Sequence, residues 1–273
     1  MSHVSLHRPD EIFSWRHAPS WLLFAFSSGC VNATAFVACE RFVTHVTGTA
    51  TQVGIKVARL DILLDFVIVL TCFIIGAMAS AIMINGRFQR GKRPWYTVPL
   101  VIVAAATASV AVSGHAGWLG VFGGSVDEPA DFVLLSVLSF ASGLQNAAVA
   151  TGTGLLVRTT HLTGPATDLG IHLVELTYTT GEQRLKARRH ALLRGGKIVS
   201  FIVGAAAGVT LARELQYLAF MVPSAIVLLA TALSFHPAQA ARSWGRGKVE
   251  ELEERRAGEP PPAIRTGARG ARS

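Results

Sequence analysis

The amino-acid sequence predicts an all-α integral membrane protein with about six transmembrane helices, arranged as two inverted three-helix repeats with broken or re-entrant TG motifs. Three observations lead there. Hydrophobic residues make up 51% of the 273 residues and charged residues 15%, with a mean hydropathy of +0.43, too apolar for a soluble domain of this length. Six apolar runs answer to a hydrocarbon core about 30 Å thick, which takes about 17–25 helical residues to cross. One phrase also occurs twice: THVTGTATQVGI at 44–55 and THLTGPATDLGI at 160–171 stand 116 positions apart with eight identities. Self-similarity of this kind marks a duplicated unit.

The elements follow in order. Residues 1–20 are polar, with Arg8, Asp10, Glu11 and Arg16; no small-residue cleavage site follows a basic start, so a cytoplasmic segment is expected rather than a removed signal peptide. The first repeat, 21–112, holds the apolar runs Trp21–Ala38, Ile62–Ile84 and Tyr96–Val112. An external loop, 113–131, precedes the second repeat, 132–235, with runs at Phe132–Ala150, Lys197–Leu211 and Leu215–Phe235. Arg213, Glu214 and Gln216 interrupt the last two runs, which fits a kinked hairpin, because one helix of about 40 residues is far too long for a bilayer. An Arg-rich insertion near 181–194 in the second repeat suits a surface helix on anionic cytoplasmic lipid. The tail, 236–273, is charged, Pro-containing and without an apolar face, so it is expected to be disordered. Cys30, Cys39 and Cys72 are scattered through the spans and form neither a disulfide framework nor a zinc-spaced cluster.

Loop charges set the orientation. Asn85–Trp95 carries Arg87, Arg90, Lys92 and Arg93, whereas 113–131 has no Lys or Arg and holds Asp127, Glu128 and Asp131. The connection after the fourth run is basic through Arg158, Arg184, Lys186, Arg188, Arg189 and Arg194, and the tail holds eight Lys and Arg. The positive-inside bias then puts both termini in the cytoplasm. The net charge of +8 is the topogenic signal of such a protein and calls for no nucleic-acid partner.

The repeat extends beyond the phrase. Phe26, Ser28, Gly29, Asn32 and Ala33 return at an offset of 114 as Phe140, Ser142, Gly143, Asn146 and Ala147. Phe73, Gly76 and Ala77 return at 128 as Phe201, Gly204 and Ala205, and Val98 and Pro99 at 124 as Val222 and Pro223. Three spans per repeat is an odd number, so the second copy is expected upside down relative to the first, the layout of many secondary transporters. The first phrase then falls near the outer face and the second near the inner one. Gly76 with Ser80, and Gly204 with Gly208, give the small-xxx-small spacing of close helix packing.

Within each phrase Thr47 and Thr163 stand where an N-cap would, Pro165 suits the first helical position, and Gly48 and Gly164 mark a break followed by a new helix. A break at membrane depth has to be buried in protein or line a wet cavity, and the free N–H groups of a half-helix start favour an anionic group. Thr51 and Thr167 add hydroxyls one turn on. The plain alternative is a surface turn in which Gly54 and Gly170 permit close backbone packing. Asn32 and Asn146 occupy equivalent places, where an unsatisfied amide is costly; they either bind substrate or hydrogen-bond the two repeats together. Asp168, His172 and Glu175 share a helical face, with His161 two turns back, opposite Gln52, Lys56 and Arg59 in the first copy. They form an ion or proton pathway or a salt-bridged gate, or else are solvated faces. Asp65 is a further ionisable candidate. No catalytic residues, metal or cofactor are expected: there is no Walker A, GxSxG, HExxH or dinucleotide glycine pattern, and only Asp168, His172 and Glu175 could approach one ion.

SGCVNATAF with THVTGTATQVG, then FASGLQNAAV with RTTHLTGPATDLG, resembles the YoaK-like family of bacterial multi-pass membrane proteins, a domain of unknown function, over about Trp21–Phe235. Gly143, Gln145, Asn146, the run Arg158–Thr160 and the paired TG phrases carry the resemblance. In that family the position of Asn32 is commonly Asp in a VDA-like triplet and that of Thr49 commonly Asn; this chain departs at both. The resemblance implies a bacterial cytoplasmic (inner) membrane protein and brings no activity. The repeat suggests a small secondary transporter or permease of a small polar or anionic solute, partnered by the lipid bilayer and open to homo-oligomerisation. The alternative is a non-transporting scaffold or sensor whose basic tail recruits a partner.

Overall fold

The computed structural model describes residues 5–7, 9–57, 60–124, 129–235 and 245. Arg8, Arg59, Asp127, Glu128, the side chain of Asp65 and, apart from residue 245, the expected tail 236–273 lie outside the described residues. Among these residues there are helices and turns and no strand. The helices are α1 (Pro9–Ile12), α2 (Ala18–Cys39), α3 (Val46–Ile55), α4 (Leu60–Ala81), α5 (Arg87–Gln89), α6 (Thr97–His115), α7 (Pro129–Gly152), α8 (Thr163–Tyr178), α9 (Gly181–Leu215) and α10 (Met221–Ser234). A π turn at Ile82–Gly86 carries α4 into α5, and a 3-10 turn at Gln216–Phe220 carries α9 into α10.

Five stretches of these are long and apolar enough to cross a membrane: Ala18–Cys39, Phe66–Gln89, Thr97–His115, Ala130–Gly152 and Gly181–Ser234. The last spans 54 residues, which as one rod would reach about 80 Å at 1.5 Å per residue. It is divided where Gln216 takes φ +51° and ψ −127°. On one side of that break α9 packs on α2 and α8, and on the other α10 packs on α2 and α6. A side chain is strained in that backbone region, so Gln216→Gly is expected to stabilise the protein by up to about 1 kcal/mol, read as a rise in Tm in detergent. Residues 181–194, expected as a surface helix, are helical and mostly exposed. Those residues are the opening turns of α9, which runs unbroken through Gly195 and Gly196 into the apolar segment. There Gly196 lies against α2, where an added Cβ would stand 3.2 Å from Leu22 Cδ2.

Packing crosses between the halves of the chain. The most extensive contacts are α2 along α9 and α7 along α4. Glycines make this possible: a Cβ at Gly29 would run into the carbonyl of Phe201, and one at Gly204 into that of Phe26. The same happens at Gly143 against Phe73 and at Gly76 against Phe140. These are equivalent positions by the sequence offsets, so each close approach recurs with the halves exchanged. A Cβ at Gly208 would likewise press on the Cys30 carbonyl, at 2.6 Å, and Thr34 Oγ1 donates to the Gly208 carbonyl at 3.3 Å. Small residues let backbones approach where lipid removes the hydrophobic drive for helix association.

Buried apolar side chains gather in two clusters along the bundle. One holds Trp21, Phe24, Tyr96, Leu100, Leu144 and Phe235, the other Val31, Val69, Val110, Leu134, Leu138 and Phe220. Outward, α4 exposes Ile74, Ile75, Met78 and, in the following turn, Ile82, and α9 exposes Val199, Ile202 and Val203. Such continuous apolar surface suits a lipid solvent.

Candidate functional site

The site is built where two chain segments fold back against the helices they have just left. Asn32 lies seven residues before the end of α2, about 10 Å of helix. Its Oδ1 accepts the backbone N–H groups of Val43 and Thr44, both at 3.1 Å. Asn146, in α7, does the same for Thr159 at 2.9 Å and Thr160 at 3.3 Å. Each asparagine therefore draws the chain back to its own level, and α3 and α8 start from there. Neither amide bridges the two halves, as one sequence alternative had it. The carbonyl side of each holds its own re-entering segment, while Nδ2 has no protein partner among the described residues and Asn32 is only 9% exposed.

The two returning segments meet. Asn32, Phe42, Thr44, His45, Val46 and Thr47 from the first half and Asn146, Arg158, Thr160, His161, Leu162 and Thr163 from the second line one cavity of about 510 Å³, with Phe73 and Phe201 completing it. This size falls in the range of small-molecule sites. The helix starts of the two phrases thus share one space, to which the asparagine bonds hold each segment.

The helix starts differ in detail from the sequence reading. α3 begins at Val46 and α8 at Thr163, so Thr47 and Thr163 lie within the first turns and neither caps, and Pro165 is the third helical residue. At α8 a histidine takes over the capping. His161 Nε2 accepts the Gly164 N–H at 3.1 Å, satisfying one of the orphan donors of a helix start. Burial, with the Lys197 and Arg158 cations nearby, lowers the His161 pKa, against a weaker pull from Asp168; the neutral ring keeps the lone pair this bond needs. A Cβ at Gly48 would strike the His45 ring, and one at Gly164 would lie 2.9 Å from His161 Nε2. The glycine of each phrase is there because a histidine folds over it. The signal was present as His-x-x-Gly in both copies.

The remaining candidates separate. Thr51 and Thr167 turn their hydroxyls back onto the carbonyls of Thr47 and Thr163, at 3.0 and 3.1 Å, away from the cavity. Gly48 lines a neighbouring hollow with Phe36, Arg41, Gln52, Lys56 and Phe66. Asp168 pairs with Arg194 at 3.1 Å and His172 with Glu175 at 2.9 Å. His161 precedes α8 and so does not continue their helical face. Gln52 and Lys56, the first-copy counterparts, line that other hollow, and Lys56 makes no ion pair with Asp168 or Glu175 among the described residues.

Two residues outside the sequence candidates help to shape the site. Gln145 Nε2 reaches Ser28 Oγ at 3.0 Å and Thr159 Oγ1 at 3.3 Å, tying α7 to α2 and to the second re-entry. Lys197, 3% exposed, donates to the His161 carbonyl at 3.0 Å. Sequence could flag Lys197 only as a charge at the edge of an apolar run.

Residues 20–233 match the model of a family described as protein of unknown function (DUF1275). No curated protein and no solved structure matches the chain.

Proposed function

The chain belongs to the DUF1275 family, the YoaK-like group, and from that premise we propose that it is a small secondary permease for a polar solute, with the cavity between the two re-entrant phrases as its binding site. One observation carries the reading: two helix starts, each led by its own asparagine-held segment, converge on a single cavity. Broken helices whose starts face a shared site between repeats are the working part of many secondary transporters.

The two halves are read as inverted repeats, related by a pseudo-two-fold axis in the membrane plane. The exchange of partners at Gly29, Gly204, Gly143 and Gly76 supports this, as does the paired use of Asn32 and Asn146. Counting α9 and α10 as separate spans restores three per half. The loop charges support a cytoplasmic-membrane protein with both termini inside. Alternating access would come from rocking one crossed helix pair against the other, with the solute site fixed between them.

In proteoliposomes, Asn146→Ala and Thr163→Val are expected to lower uptake at least about tenfold while the protein still inserts, because each alters a group that lines the cavity. Retention of full uptake by both inserted variants would overturn the reading.

A further inference from the structure

The cavity is two-fold in outline but not in charge. Where the second half has Arg158, Arg194 and Lys197, the equivalent positions of the first half, at offsets of 116, 128 and 128, are Phe42, Phe66 and Val69. Arg158 lines the cavity directly and has no hydrogen bond or ion pair among the described residues, and no Asp or Glu lines it. Behind that wall lies Lys197, almost fully buried, whose one hydrogen bond goes to a neutral carbonyl. The neighbouring carboxylate, Asp168, is held by Arg194 at 3.1 Å. Three basic side chains thus stand near one carboxylate, and holding a buried ammonium at Lys197 without a counter-ion is costly.

The other polar groups of the cavity point to the same chemistry. The Nδ2 groups of Asn32 and Asn146 are donors without protein partners, and Asn32 is nine-tenths buried. The first-turn N–H groups of α3 and α8 add positive potential. The lining also holds aromatic surface, with Phe42, Phe73 and Phe201. A cation, unpaired donors and aromatic side chains lining one cavity select a ligand with an anionic group and an apolar body.

Resting on the permease reading above, we propose that the solute is a small organic monoanion of the carboxylate class, its charged group held by Arg158 with Lys197 behind it, and its apolar body lying against Phe42, Phe73 and Phe201. Arg158 is the charge-recognising residue and Phe42 the body-recognising one. An anionic lipid shares this chemistry; the modest volume and its polar lining from both halves favour the dissolved acid.

The test uses the full chain in dodecyl maltoside micelles, with thermal shift and isothermal titration. Acetate, butyrate, hexanoate and benzoate are compared with butyramide, hexylamine and added phosphatidylglycerol. The carboxylates are expected to stabilise the protein, with affinity rising from acetate to hexanoate or benzoate, while butyramide and hexylamine bind at least about tenfold more weakly. Arg158→Gln, at an exposed position that leaves packing intact, is expected to weaken carboxylate binding about tenfold or more, as loss of a charge-assisted bond does. Lys197→Met should act in the same direction. Phe42→Ala should flatten the dependence on the apolar body. Equal binding of butyramide or hexylamine, lost in Asn146→Ala, would overturn the anion assignment and leave the solute cavity standing. Stabilisation by phosphatidylglycerol alone would also overturn it, in favour of a lipid site. Binding of no compound to the folded protein would overturn it too, and the uptake assay on Asn146→Ala then decides the permease reading separately.

Discussion

Gly204→Val is expected to be the most damaging single substitution in the chain. Gly204 lies so close to the Phe26 carbonyl that even a first side-chain carbon cannot be placed without moving backbone, and Val adds two methyl groups beyond it. Overpacking in a tight interface costs about 1–3 kcal/mol and more when the obstacle is backbone. Here the obstacle is the α2–α9 seam, one of the two that join the halves. Loss of the folded peak in size-exclusion chromatography, or a fall in Tm of many degrees, is the expected readout. Gly76→Val, at the equivalent contact with Phe140, should do the same to the α4–α7 seam. By contrast Gly54→Ala and Gly170→Ala should leave Tm nearly unchanged, since a Cβ at either meets nothing within 4 Å. Equal tolerance of Gly204→Val and Gly54→Ala would show that the crossed seams do not hold the protein together.

The second large effect is expected at Asn32. Replacement by Ala leaves the backbone N–H groups of Val43 and Thr44, both buried residues, without their acceptor. Each orphaned buried donor costs about 1–3 kcal/mol, so Asn32→Ala should lose about 2–6 kcal/mol in all, or release the first re-entry outward. Asn32→Asp keeps a side-chain oxygen in the same place and should retain most of the stability. It would remove the free Nδ2 donor and add a negative charge to the cavity, so solute binding should fall even though the fold holds. Thermal denaturation of Ala, Asp and wild-type forms side by side checks this. An Asp variant as unstable as the Ala variant would mean that the carbonyl bonds do not secure the segment. Asn32 and Asn146 were readable from sequence as a pair, and their function as acceptors for a returning chain was not, because the donors lie 11 to 14 residues further on and belong to no regular element.

What the sequence determined is local or repetitive. Apolar runs at Trp21–Ala38, Tyr96–Val112 and Phe132–Ala150 fall within α2, the segment opening into α6, and α7, because a stretch of that length and composition has only the helix available in lipid. The doubled phrase identified two equivalent helix starts from letter matching alone. The paired small residues at Gly76 and Gly204 marked close approaches, since only a missing side chain lets backbones touch.

Tertiary structure alone decided which helices meet and what lines the cavity. Lipid-facing residues such as Ile74 and Val203 are as apolar as buried ones, so periodicity cannot say which face of a span is inside; the crossed pairing of α2 with α9 and α7 with α4 was therefore out of reach. The continuity of α9 from Gly181 into the apolar run was hidden by its charges, which suggested a boundary that the backbone does not make. His161 was grouped with the face of Asp168, His172 and Glu175 by a helical spacing that runs past the point where α8 starts. The convergence of the two phrases depended on asparagine bonds that turn the chain inward by about 10 Å. With that inward turn, positions 116 residues apart in the chain come to share one cavity, a consequence of packing and hydrogen bonding at a distance that no window of sequence contains.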